Sequence, residues 1–125
     1  MEALRLAGRT LGTPDGQFVV VEWSDDGKHD GSIAPPHVHH RDDEAWYVLE
    51  GRLGFRIGDE EVEAGPGAAV LAPAGTVHSY WNAGRPDPAR YLLVMPPRLL
   101  RLIEELHSPD GYDPSVWARY DSGLV

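Results

Sequence analysis

Residues 31–51 read GSIAPPHVHHRDDEAWYVLEG and hold three of the chain's six histidines within four positions. His37 and His39 stand two apart in a segment with strand character. Side chains of a strand alternate faces, so both imidazoles share one face, with Cα atoms roughly 6.6 Å apart. Rings placed that way can converge on one ion. Glu44 follows a polar connector, His40 to Asp43, and opens an apolar run in which it shares a face with Trp46 and Val48. Two histidines and a glutamate form a nitrogen-and-oxygen set suited to a first-row divalent metal. Pro35 and Pro36 remove two backbone donors and preset an extended path, which predicts a straight strand leading into His37. His40 follows His39 directly, so alternation turns it away from the site.

A second stretch, residues 67–82, reads GAAVLAPAGTVHSYWN and carries another histidine, His78, after a Pro-Ala-Gly turn. The first stretch resembles the first motif of the cupin superfamily, G-x5-H-x-H-x4-E-x6-G, at Gly31, His37, His39, Glu44 and Gly51. The second resembles the other cupin motif, G-x5-P-x-G-x2-H-x3-N, at Gly67, Pro73, Gly75, His78 and Asn82. No motif position is substituted. The resemblance covers somewhat under half the chain and is to the superfamily, in its small single-domain type. It implies an all-β fold, a double-stranded β-helix or jelly-roll barrel, with His37, His39, Glu44 and His78 as ligands of one divalent transition metal ion. Fe or Mn is favoured, and Ni, Zn or Cu would also suit a set without thiolate, because raw affinity does not identify the biological ion. A barrel interior holding three imidazoles and a carboxylate without a cation would leave buried polar groups poorly paired, each costing on the order of 1–3 kcal/mol. The resemblance also implies a homodimer.

Outward from the motifs, the chain reads as short strands and tight turns. Thr13-Pro14-Asp15-Gly16 is a turn signal, and residues 17–23 are β-branched and aromatic. Residues 24–30 form a polar loop, where His29 reads as solvated. Leu53, Phe55 and Ile57 alternate with Arg52 and Arg56, the pattern of a half-buried strand with both arginines outside. Gly58-Asp59 and Gly65-Pro66-Gly67 are turns, followed by strands over 68–72, 76–81 and 91–95. The barrel core is thus expected over about residues 17–95. Pro96-Pro97 closes it. Leu99, Leu100, Ile103 and Leu106 have helical spacing, predicting a helix over 98–107 packed on the outside of the barrel, with His107 at its C-terminus as a cap residue and not a ligand. Asp113-Pro114 predicts a second short helix to Tyr120, giving a C-terminal helical extension over about 98–120.

A chain of 125 residues suits one domain, a single cupin unit over residues 1–125. Cysteine is absent, which excludes disulfides and thiolate metal sites. A formal charge of −9 argues against a nucleic-acid partner, which would need a basic patch. No apolar stretch approaches the ~18 residues of a membrane span, and residues 1–10 show no signal peptide, so a cytoplasmic protein is expected.

For function, the apolar face suggests a small-molecule pocket with Trp46, Phe55 and Tyr80 beside the ion, favouring a flat, weakly polar ligand. The first reading is a metal-dependent oxygenase, similar in layout to quercetinase-like dioxygenases, acting on a small enolic, phenolic or dicarbonyl substrate. The alternatives are a metal-dependent isomerase, cyclase or decarboxylase that uses no dioxygen, and a non-catalytic binding module. Glu44 could remain a ligand or act as a general base. Protonation of the histidines predicts metal release below about pH 6.

Overall fold

The computed structural model describes residues 10–125, and the reading of the first nine residues lies outside the described residues. Among the described residues ten strands and two helices follow one another: β1 Thr10–Leu11, β2 Val19–Asp25, β3 Ser32–His39, β4 Glu44–Glu50, β5 Leu53–Ile57, β6 Glu60–Ala64, β7 Ala69–Ala72, β8 His78–Asn82, β9 Ala89–Met95, α1 Pro97–Leu106, α2 Val116–Arg119 and β10 Ser122–Leu124. They form two five-stranded antiparallel sheets, in the orders β1-β2-β9-β4-β7 and β10-β3-β8-β5-β6. The all-β jelly-roll expectation holds, with short helices after the barrel strands. No helix among the described residues is long and apolar enough to cross a membrane.

Alternation explains the packing. In β9 every second residue from Ala89 to Met95 is buried. Their inward side chains meet those of β2, β4 and β5, so that Val21, Trp46, Val48, Leu53, Phe55 and Leu93 join one core. Each fully buried aliphatic or aromatic side chain contributes roughly 1.5–3 kcal/mol. Arg52 and Arg56 lie outside, as their alternation predicts.

The turns are set by residues of the two motifs. Gly51 has φ +76°, and a Cβ there would run into the carbonyl of Pro88, so only glycine fits the end of β4. Gly75, at φ +81°, donates its N–H to the carbonyl of His39 at 2.8 Å, tying the second motif's turn to the first motif's strand. Asp43 adds a bond across the same gap, accepting from the Ala74 N–H at 2.8 Å. Asn82 organises the loop after β8: its amide donates to Asp25 at 3.0 Å and to the Asp87 carbonyl at 2.9 Å, and its carbonyl accepts from the Gly84 N–H at 2.9 Å.

Two expectations need correction. β3 is not straight before His37: its register against β8 shifts between Ser32 and Ala34 and again between Ala34 and His37. Pro35 and Pro36 have no N–H for the ladder, so the strand bulges where a straight path was expected. Helix α1 is also not an outer decoration, and α2 packs inward with it. Leu99 and Leu102 of α1 and Val116 of α2 are fully buried and belong to the main core. Beyond the C-terminal helices comes a strand that local pattern did not announce. β10 pairs with β3 in the register Ser122↔His39, Gly123↔Val38 and Leu124↔His37. A three-residue Ser-Gly-Leu segment has too little alternation to announce a strand; its partner makes it one.

Candidate metal centre

The two bulges leave His37 opposite His78 in the β3–β8 register, while β4 enters from the other sheet with Glu44 at its first position. His37, His39, Glu44 and His78 are all buried, and one ligand atom from each lies within 4.8 Å of the others. The rings of His37 and His39 are 4.8 Å apart and those of His37 and His78 are 4.3 Å apart. His29 and His40 are exposed and stand away from this group. His107 caps α1, its backbone N–H bonding the Ile103 carbonyl at 3.0 Å.

Hydrogen bonds show which nitrogens face inward. His37 Nδ1 is 2.6 Å from the Pro35 carbonyl, and His78 Nδ1 is 2.9 Å from the Thr76 carbonyl. A carbonyl only accepts, so both Nδ1 atoms carry a proton, and in the neutral ring Nε2 keeps the lone pair. His78 Nε2 nevertheless stands 3.0 Å from Glu44 Oε1, and His39 Nε2 stands 3.7 Å from the same oxygen. A neutral ring cannot donate from both nitrogens. Lone pairs of imidazoles and a carboxylate facing one point are the donor set of a divalent cation, so the buried cluster fits a metal site. Burial, and then the neighbouring His78, lower His37 below the ordinary imidazole value; burial lowers His39 to about 4. Both rings are therefore held in the neutral form that binds metal.

The cluster opens onto a cavity of about 480 Å³. His37, His39 and Glu44 form part of its wall, and His78 sits behind them at 2% exposure. Sheet residues Trp23, Ile33, Tyr80, Tyr91 and Leu93 form one side. The C-terminal segment supplies the other through Leu102, Ile103, Leu106, Trp117 and Leu124, with His107 and Tyr112 also on the wall. No lysine or arginine lines it among the described residues.

Of the three aromatic residues proposed for the pocket, Tyr80 borders the cavity, and Trp46 and Phe55 lie away from its wall. They are 1% and 0% exposed, with rings 5.1 Å apart, and Trp46 packs 5.7 Å from His78. They fill the interior beneath the cluster. Inward facing was legible from alternation, but how far down the barrel its interior is filled was not. Sequence reasoning missed the contributions of Tyr91, Leu93 and the C-terminal wall. The Leu99, Leu102 and Leu106 spacing of i, i+3, i+7 is the signal that could have pointed α1 inward. Tyr80 and Tyr91 share a hydroxyl–hydroxyl bond of 2.9 Å. Burial, and then the adjacent Tyr91, push Tyr80 well above the ordinary phenol value, and burial pushes Tyr91 to about 12. Both stay protonated near neutral pH.

A barrel of this topology, with three imidazoles and a carboxylate gathered from both motifs, is the architecture of a cupin, and its buried cluster fits a divalent metal site. The chain belongs to that family: the model described as "Cupin domain" matches residues 28–95, more than half of it. Over 66 residues it is 39% identical to quercetin 2,3-dioxygenase of Bacillus subtilis (strain 168), covering 53% of this chain and 19% of that protein. The chain thus spans about a fifth of the length of that curated relative. Among solved structures, it is similar to an uncharacterized conserved protein with a double-stranded β-helix domain from Klebsiella pneumoniae, at 26% identity and a TM-score of 0.56, covering 72% of this chain and 74% of the other. It is also similar to a cupin-superfamily sugar phosphate isomerase from Silicibacter pomeroyi, at 27% identity and a TM-score of 0.57, covering 70% and 57% respectively.

Proposed function

We propose that this protein is a metal-dependent oxygenase acting on a small, flat, largely apolar substrate that bears an enolic, phenolic or dicarbonyl oxygen pair. The observation that carries this reading is the meeting of the three-imidazole, one-carboxylate cluster with a cavity of about 480 Å³ whose wall is mainly aliphatic and aromatic. His37, His39, His78 and Glu44 would hold one divalent ion, Fe or Mn by preference. When bound, such an ion supplies Lewis acidity toward an enol or phenol oxygen and redox capacity toward dioxygen.

The chain's own residues do the rest. Glu44 is the anion of the cluster that reaches the cavity, and it is placed to take the proton of an incoming hydroxyl at a carboxylate oxygen. Leu102, Ile103 and Trp117 cover the substrate's apolar body and keep water from the reacting oxygens. The protonated Tyr80–Tyr91 pair can donate a hydrogen bond to a substrate oxygen.

The partial likeness to quercetin 2,3-dioxygenase supports an oxygenase. The likeness to a sugar phosphate isomerase favours a second reading, an isomerase, cyclase or decarboxylase that uses no dioxygen. The cavity wall speaks against a phosphorylated substrate, because a dianion desolvated there would meet no cationic side chain among the described residues. The test is turnover of a flavonol and dicarbonyl panel by Fe(II)-loaded protein with and without air. Product only in air, with one dioxygen consumed per turnover, is the expected result. Product under strict anaerobiosis would transfer the protein to the second reading. No turnover under either condition would leave a binding protein.

The working assembly we propose is a homodimer. Tyr47 on β4 and Leu71 on β7 are 42% and 53% exposed on the outer face of their sheet. Leu92 and Val94 stand opposite Tyr47 and Ala45 across the β4–β9 pairing, extending that apolar surface. Sedimentation should show a dimer that the double variant Tyr47→Lys, Leu71→Glu converts to monomer. A wild-type monomer at micromolar concentration would dismiss the pairing.

A further inference from the structure

We propose that Ser122, the first residue of β10, is a positioning residue that sets which ring nitrogen of His39 faces the metal cluster. Ser122 is 6% exposed and stands opposite His39 in the β10–β3 register. Its Oγ lies 2.7 Å from His39 Nδ1 and donates to the Tyr120 carbonyl at 3.0 Å. A serine hydroxyl has one proton. The carbonyl of Tyr120 takes that proton, so Oγ meets His39 only through a lone pair. His39 must then carry its own proton on Nδ1. Nε2 is left bare and stands 3.7 Å from Glu44 Oε1, on the side of the cluster. The other tautomer would aim an N–H at the point where the lone pairs converge.

The other two histidines need no such help. Pro35 and Thr76, whose carbonyls fix His37 and His78, lie two residues before them on the same segment. Only His39 has an orienting partner 83 residues away. The C-terminal segment therefore completes the centre as well as walling the cavity. It is held there firmly: Arg98 bonds Asp42 at 2.8 Å and Asp121 at 3.1 Å, and the Asp121 carbonyl accepts from the His40 N–H at 2.7 Å.

This inference deepens the metal reading and rests on it for its second arm only. The first arm uses full-length, ¹⁵N-labelled, chelator-stripped protein at pH 8 and reads the tautomer of His39 from long-range imidazole ¹H–¹⁵N spectra. Wild type and Ser122→Thr are expected to show the proton on Nδ1, and Ser122→Ala to show a mixture or the Nε2–H form. The second arm is Zn(II) affinity by competition with a chromophoric chelator. Ser122→Ala is expected to bind about 10- to 100-fold more weakly, the range for losing a partner of a metal-bound histidine, while Ser122→Thr keeps wild-type affinity. An Nε2–H ring in the wild type, or a Ser122→Ala protein unchanged in tautomer and affinity, overturns the proposal. The apoprotein spectrum decides the tautomer whether or not the ion binds; a wild type that takes up no divalent ion sinks the metal reading alone.

Discussion

Replacing His78 by alanine is expected to abolish stoichiometric metal loading while the barrel stays folded. His78 faces Glu44 at 3.0 Å and is opposite His37 in the β3–β8 register, at the centre of the cluster. Its loss removes a ligand outright, so affinity should fall by more than the roughly 10- to 100-fold that removing an outer partner costs. The fold should survive, because β8 is paired along both edges, to β3 and to β5, and one shortened side chain leaves those ladders intact. Elemental analysis after dialysis against a divalent ion, together with far-ultraviolet circular dichroism, reads both quantities. Unchanged occupancy would mean that the ion, if any, is held elsewhere.

The second large effect is on acid stability of the metal-free protein. Unfolded, His39 takes up its proton near the ordinary value of 6.5; folded, burial holds it at about 4. Between those values the unfolded chain binds more protons, so falling pH favours unfolding. The contribution is complete above about 6.5 and is used up by about 4. That gap corresponds to on the order of 3 kcal/mol for His39 alone. His37 is lowered by the same cause and acts in the same direction. Urea midpoints of chelator-treated protein at pH 7.5 and pH 4.5 give the measurement. Because carboxylates also begin to titrate at the acid end, His39→Gln is the control and should flatten the slope. A wild type as stable at pH 4.5 as at pH 7.5 would contradict neutral buried imidazoles. The same shifts move the expected metal release below the pH of about 6 that ordinary histidines would suggest, since protons compete less well for lowered rings.

These two experiments draw on different parts of what was legible in the sequence. His37 and His39 could be placed on one face from spacing, because a strand has a side-chain period of two, and the two motifs that resemble those of cupins added Glu44 and His78. Gly51 and Gly75 take positive φ, and Asn82 bonds three groups of the loop after β8, so these motif positions carry local geometry that a sequence records directly. Alternation turns Trp46 and Phe55 inward, and the structure buries them completely, off the cavity wall. Alternation reports in against out, but it does not report which layer of the interior is packed solid. The β3 bulges were hidden because a proline pair reads as extended whether or not its neighbours keep register.

Local periodicity announced short strands and a shared face for His37 and His39, while the barrel and the full set of four cluster side chains came from the resemblance of the two spaced motifs to the cupin superfamily. Three-dimensional packing alone brought α1, α2 and β10 to the cavity wall, Tyr91 to Tyr80, and Ser122 to within 2.7 Å of His39. Those are contacts between segments far apart along the chain, and nothing in the local pattern of a Ser-Gly-Leu segment says which strand edge it will find. The unpaired edge of β3 supplies that answer, and it exists only once the sheet has formed.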